Sequence, residues 1–148
     1  MMLEQLLLGE HNDNDEFVSY FLSPYLEYLA GNGIYDVRTE DLTGKVFLFQ
    51  LGGPLSLSVL EKATSESLRD IRFIWHRTAR IFGSDLPVEG TEVRIFRLGV
   101  AGTLAYEVHG RAEDAEQVYK ALMEAGQEFS IVQPRKWLFY EVLNETAE

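Results

Sequence analysis

The side chains in this 148-residue sequence placed to do chemistry gather in one stretch, Thr91 to Gly110 (TEVRIFRLGVAGTLAYEVHG). Over Thr103 to His109 the pattern alternates. Leu104, Tyr106 and Val108 share one face, and Ala105, Glu107 and His109 share the other. The apolar trio belongs on a core. Glu107 is then a carboxylate in mid-strand, beside a small alanine and one residue from an aromatic. It either faces water or meets a partner. His109 shares its face, as a second polar contact or as an exposed strand-end residue.

Other chemistries find little support. Gly52-Gly53 before a helix could cradle a phosphate on free N–H groups, but no Gly-Lys-Ser ending follows, so packing is the expected role. Without cysteine there is no disulfide, thiolate zinc site or thiol nucleophile. His11, His76 and His109 are scattered, without metal-ligand spacing. A formal net charge of -11 argues against nucleic acid and anionic membranes as partners. No apolar run approaches membrane-spanning length, and the N-terminus lacks a basic segment followed by an apolar one. A cytoplasmic protein is expected. With 46% hydrophobic residues, the chain can build one globular core.

The elements that must position Glu107 follow from periodicity. Glu92 to Leu98 and Thr103 to His109 read as two strands joined by the turn Gly99-Val100-Ala101-Gly102. Lys45 to Leu51 (KVFLFQL) is apolar on both faces, hence a central or doubly covered strand. Gly52-Gly53-Pro54 opens a helix whose buried side is Leu55, Val59, Leu60 and Ala63. Ser67 to Ile71 adds a helical turn. Arg72 to Phe82 reads as a long strand with Trp75 and His76 on opposite faces, and Trp75 in the core. Arg111 to Ala125 is a helix with Ala115, Val118, Tyr119 and Leu122 buried, acidic residues at its start and Gly126 at its end. A short strand at Phe129 to Val132 and a helix from Pro134, carrying Trp137, Tyr140 and Leu143, complete this part.

Upstream, Met1 to Leu8 suggests a short helix and His11 to Glu16 a polar break. Asp15 to Ala30 carries a helical stripe of Phe17, Tyr20, Phe21, Tyr25, Tyr28 and Leu29, split by Pro24 and capped by Gly31. Core or subunit packing is its expected use. The fold class is α+β, an antiparallel sheet with helices packed on one face. Its organisation is a helical N-terminal segment, 1–44, and a domain over 45–148 that together make one globular unit.

From Lys45 onward the sequence resembles the folate-binding region of the glycine-cleavage T-protein (aminomethyltransferase) superfamily. The matching pieces are FLFQLGGPLSLSVLEKAT (Phe47 to Thr64), RLGVAGTLAYEVHG (Arg97 to Gly110) and EDAEQVYKALMEAG (Glu113 to Gly126). The second corresponds to the family's glycine turn followed by Gly-Phe/Tyr-Glu. WLFY (Trp137 to Tyr140) is similar to the Trp-x-x-Tyr of the branch that demethylates aryl methyl ethers with tetrahydrofolate.

The resemblance implies a tetrahydrofolate-dependent methyl or aminomethyl transferase, or a subunit of one, passing a one-carbon group to folate N5. In that family the motif glutamate grips the pterin edge, whose amide N–H and exocyclic amine form a two-donor fork that a carboxylate accepts in a bidentate way. Glu107 holds that position. Tyr106, Val100 and Trp137 fall among the cofactor-binding positions. Val100, where the glycine-cleavage enzymes carry tyrosine, favours the demethylase-like branch or a divergent relative. Tyr140 takes the place of that branch's functional tyrosine, an acid or orienting group near the transferred methyl; an ordinary place on an amphipathic helix is the other reading. Arg97 or Arg135 would meet the glutamate tail of folate. Full members are longer, so the implied partners are folate, a small methylated substrate, and either a second copy or a partner chain supplying the missing half. The alternative is a non-catalytic folate-binding or oligomerisation module.

Overall fold

The structure is a computed structural model that describes residues 2–6 (as backbone), 24–33, 44–99 and 103–133, with 36, 38–40 and 42. Two compact units divide the chain, one of Met1–Leu7 with Lys45–Glu148 and one of Leu8–Gly44.

The larger unit is an antiparallel five-stranded sheet with its helices on one face. Its strands are β1 (Met2–Leu6), β2 (Val46–Gly52), β3 (His76–Ile81), β4 (Thr91–Arg97) and β5 (Ala105–Arg111), in the spatial order β1-β2-β5-β4-β3. All neighbouring pairs are antiparallel. β5, which carries Glu107, is the middle strand. KVFLFQL is interior to the sheet, as its two apolar faces imply.

The expected helix at the N-terminus is instead strand β1, in register with β2 from Met2↔Gly52 to Leu6↔Leu48. Met, Leu, Glu and Gln are good helix formers, but that preference is a weak prior. An unpaired edge on the apolar strand β2 is the stronger template.

In the smaller unit a helix, α1, covers 24–31, with Pro24 at its first described position. Tyr25 and Tyr28 are exposed on it. The left-handed residue after it is Gly33 (φ 66°) rather than Gly31, and Asn32 Nδ2 donates to the Tyr28 carbonyl at 2.8 Å. Phe17, Tyr20 and Phe21 lie outside the described residues.

Helices α2 (Ser56–Thr64) and α3 (Ala115–Gly126) cover one face of the sheet. Val59, Leu60 and Ala63 of α2 and Val118, Ala121, Leu122 and Ala125 of α3 join the alternate strand residues Phe47, Phe49, Leu51, Tyr106, Val108, Val93, Ile95, Ala79 and Ile81 in one core. Phe47 and Phe49 stack two residues apart on β2, at 4.5 Å between centroids. Leu55, expected on the buried side of α2, is exposed; Ser56 takes the inward position instead. The α3 stripe is shifted by part of a turn, with Ala115 and Tyr119 only partly buried.

Four local expectations are corrected. Trp75 is 62% exposed. The long strand read over Arg72 to Phe82 begins only at His76, because Ile74 adopts a left-handed backbone (φ 58°) and breaks the extension. Leu68 and Ile71 fill the core in its place. Gly126 is the last residue of α3, as expected, but it stays right-handed (φ -82°) instead of capping it, and a short 3-10 turn, Gln127–Phe129, continues to a left-handed Ser130 (φ 55°). Of the strand expected at Phe129 to Val132, only a single bridge residue, Val132, is present. The helix expected from Pro134 lies outside the described residues.

Candidate functional site

The candidate residues Glu107 and His109 lie on the sheet face turned away from α2 and α3. Alternation along β5 puts Tyr106 and Val108 under the helices and Glu107 and His109 on the far side. Cross-strand register then builds a row through Glu107. Gln50 of β2 stands directly opposite it on one side and Phe96 of β4 on the other, with His76 of β3 opposite Phe96. Leu48 and Arg94 flank His109 in the next row. Residues directly opposite across a sheet interact through their side chains.

Glu107 is a largely withdrawn ionisable group, its side chain only 15% exposed. His109 Nε2 lies 3.0 Å from its Oε2. An ionised carboxylate only accepts, so Nε2 carries the proton and donates it. Among the described residues, Oε1 accepts no hydrogen bond. His109 is itself wedged. Its ring packs on Phe96 at 4.7 Å between centroids, and Phe96 packs on His76 at 4.8 Å. The result is a carboxylate with one oxygen secured and the other available to an N–H donor.

The turn that delivers β5 depends on a close approach. A Cβ on Gly99 would run into the carbonyl oxygen of Thr103. Leu98 N–H donates to the Ala105 carbonyl at 3.1 Å, and Gly53 N–H to the Leu104 carbonyl at 2.8 Å, fixing where the strand starts. That second bond also uses an N–H of the Gly52-Gly53 turn, in keeping with a packing role there.

The structure brings Glu107 and His109 together and sets two other candidates apart from them. Tyr106 is 1% exposed beneath the helices, on the opposite face. Burial pushes its hydroxyl above the ordinary value of 10.0, opposed more weakly by Arg97. Arg97 pairs in register with Tyr106, and its Nη1 donates to the Ile71 carbonyl at 3.2 Å. Neither is on the face of Glu107. Val100, Arg135, Trp137 and Tyr140 lie outside the described residues. Gln50 and Phe96 were not singled out by sequence. Gln50 carried a signal, being the one uncharged polar residue within KVFLFQL; Phe96 carried none without the register. Among the described residues no group of three His, Cys, Asp or Glu could hold a metal ion, and no helix is long and apolar enough to cross a membrane.

Comparison with known proteins identifies the family. Residues 7–134 match the GCVT N-terminal domain. The chain belongs to that family. It is 50% identical over 120 residues to the sesamin methylene transferase of Sinomonas sp. (strain No.22), covering 81% of this chain and 25% of that protein. It is 35% identical over 107 residues to rat mitochondrial dimethylglycine dehydrogenase, covering 72% of this chain and 12% of that one. The aminomethyltransferase of Bacillus cytotoxicus is 29% identical over 105 residues, 71% of this chain and 27% of that one. The chain thus spans a quarter or so of the curated transferases it matches. A solved structure of heterotetrameric sarcosine oxidase from Corynebacterium sp. U-96 shares the fold, with a TM-score of 0.57 and 23% identity over 76% of this chain and 54% of that one. The family expected from the resemblance and the α+β fold expected from the order of elements are both borne out.

Proposed function

We propose that this GCVT N-terminal domain binds tetrahydrofolate on the sheet face of Glu107, within a transferase that passes a methyl or methylene group to folate N5. The observation that carries the reading is the Glu107 carboxylate, withdrawn from water with Oε2 held and Oε1 unpaired among the described residues. A pterin edge offers two adjacent N–H donors. A carboxylate meets both at once, and charge assistance makes such bonds about twice as strong as neutral ones. The names of two relatives, a methylene transferase and an aminomethyltransferase, support one-carbon transfer. Tyr140, as acid or orienting group, and Val100 and Trp137, as cofactor contacts, complete the proposed site with Glu107. So does a small methylated substrate, met by a second copy or a partner chain. A cationic contact for the glutamate tail is assigned to Arg135 rather than to Arg97, which is engaged with Ile71 on the other face.

Calorimetric titration of the chain with tetrahydrofolate, beside Glu107→Gln, tests this. Glutamine keeps the shape but loses the charge and turns two donors of its own toward the fork. Saturable binding weakened at least about tenfold, or roughly 1.4 kcal/mol, is expected. Equal binding by both proteins refutes the assignment of Glu107. A second reading is a folate-binding or assembly module without turnover. Binding without methyl transfer from any donor distinguishes it.

A further inference from the structure

We infer that His109 is the positioning residue of this site. Its imidazole, packed on Phe96, which in turn packs on His76, holds one lone pair of Glu107 Oε2 and leaves Oε1 and the second lone pair of Oε2 for a planar ligand with adjacent N–H donors. The inference rests on the proposed use of Glu107 and adds what makes that glutamate usable. A glutamate on a strand has three rotatable bonds, and a ligand that froze them would lose affinity to the lost rotamer freedom. Here the freezing is done beforehand. His109 follows Glu107 by two residues, so both leave the same face, and Nε2 reaches Oε2 at 3.0 Å.

The imidazole does not hold this position alone. The rings of His109, Phe96 and His76 come from three consecutive strands and pack at 4.7 and 4.8 Å between centroids. His76 and Phe96 stand directly opposite each other, at the spacing of neighbouring strands, and His109 reaches Phe96 along the diagonal. Phe96 is directly opposite Glu107, which closes the side of the carboxylate toward β4. On the β2 side stands Gln50, a neutral amide. The carboxylate is thus held by a donor, flanked by a ring and left with one oxygen unpaired among the described residues.

The test compares the whole chain with His109→Ala and His109→Gln, since the amide of glutamine can donate from a similar distance. Two readouts are needed. Without ligand, the γ-methylene protons of Glu107 are followed by NMR, where an ordered side chain gives two distinct signals and a free one gives averaged signals. With tetrahydrofolate, affinity is measured by calorimetry. Distinct signals are expected in the parent and in His109→Gln, and averaged signals in His109→Ala. Affinity should fall about tenfold in His109→Ala and recover to within about threefold of the parent in His109→Gln. Averaged signals in the parent, or signals unchanged by His109→Ala, overturn the inference. So does full affinity in His109→Ala once its carboxylate is free. If the parent shows the ordered carboxylate but binds no tetrahydrofolate, the holding role of His109 stands and the folate reading falls.

Discussion

Tyr106 and Glu107 are neighbours in β5 and point to opposite sides of the sheet, one 1% exposed under the helices and the other on the far face against His109. A motif places them side by side; the pleat separates them. Tyr106→Phe should therefore bind tetrahydrofolate within about twofold of the parent, while Glu107→Gln weakens binding at least about tenfold. Calorimetry on both variants checks the contrast. A large loss in Tyr106→Phe with the fold intact would mean that the ligand reaches the helix side.

The same tyrosine makes stability depend on alkaline pH. Burial raises the pKa of its hydroxyl above 10.0 in the folded protein, with Arg97 pulling the other way more weakly. The folded state then keeps the proton more firmly than the unfolded chain does. This contribution is fully present below pH 10 and is lost as the pH rises through the folded value. Urea midpoints measured from pH 8 upward should fall above about pH 10. In Tyr106→Phe, which has no hydroxyl to ionise, they should fall less steeply.

Gly110 lies in register with Phe47 across β5 and β2. A Cβ there would stand 2.5 Å from Cε1 and 2.7 Å from Cζ of that ring. Phe47 is 1% exposed and stacked on Phe49, so it has little room to retreat. Gly110→Ala should cost about 1–3 kcal/mol, the usual range for overpacking. The readout is the urea midpoint with an unchanged slope.

Much of this was legible because it is local. The alternation of Leu104, Tyr106 and Val108 gave β5 and its faces, and the apolar period of Ala115 to Leu122 gave α3. What failed was decided at a distance. MLEQL carries no alternation, and it becomes a strand only because β2 offers an edge some forty residues further on. Trp75 looked like core until Leu68 and Ile71 took that volume. In the site, Glu107 could be found by its motif and His109 by its shared face. Phe96 could not, and Gln50 stood out only as the uncharged polar residue of its strand, because only the register of three strands brings them beside the carboxylate.

Ile74 holds a left-handed backbone (φ 58°) while 67% exposed. A β-branched side chain is strained there, at roughly 1–3 kcal/mol, and exposure returns little burial in exchange. The conformation persists because the Ile74 N–H donates to the Arg97 carbonyl at 2.8 Å and the Arg97 N–H to the Trp75 carbonyl at 3.0 Å. Asparagine tolerates this conformation and keeps the N–H. Ile74→Asn should raise stability by about 1 kcal/mol in thermal or urea unfolding. A loss of stability would show that the isoleucine side chain itself anchors the turn.

Arg77 ties the segment before that turn to β3. Its Nη1 reaches both carboxylate oxygens of Asp70, at 3.0 and 3.2 Å, and its Nη2 reaches Glu66 Oε2 and the Ser67 carbonyl, each at 2.8 Å. A planar guanidinium can serve three residues at once because its donors diverge in a fixed fork. Lysine keeps the charge but concentrates it at one point, and it leaves at least one of these acceptors unserved. The side chain is 31% exposed, so the charge itself is partly screened and the geometry matters more. Arg77→Lys should thus lower stability by about 1 kcal/mol, with little change when salt is added. If added salt abolished the difference from the parent, charge alone would be holding the segment and the fork would not matter.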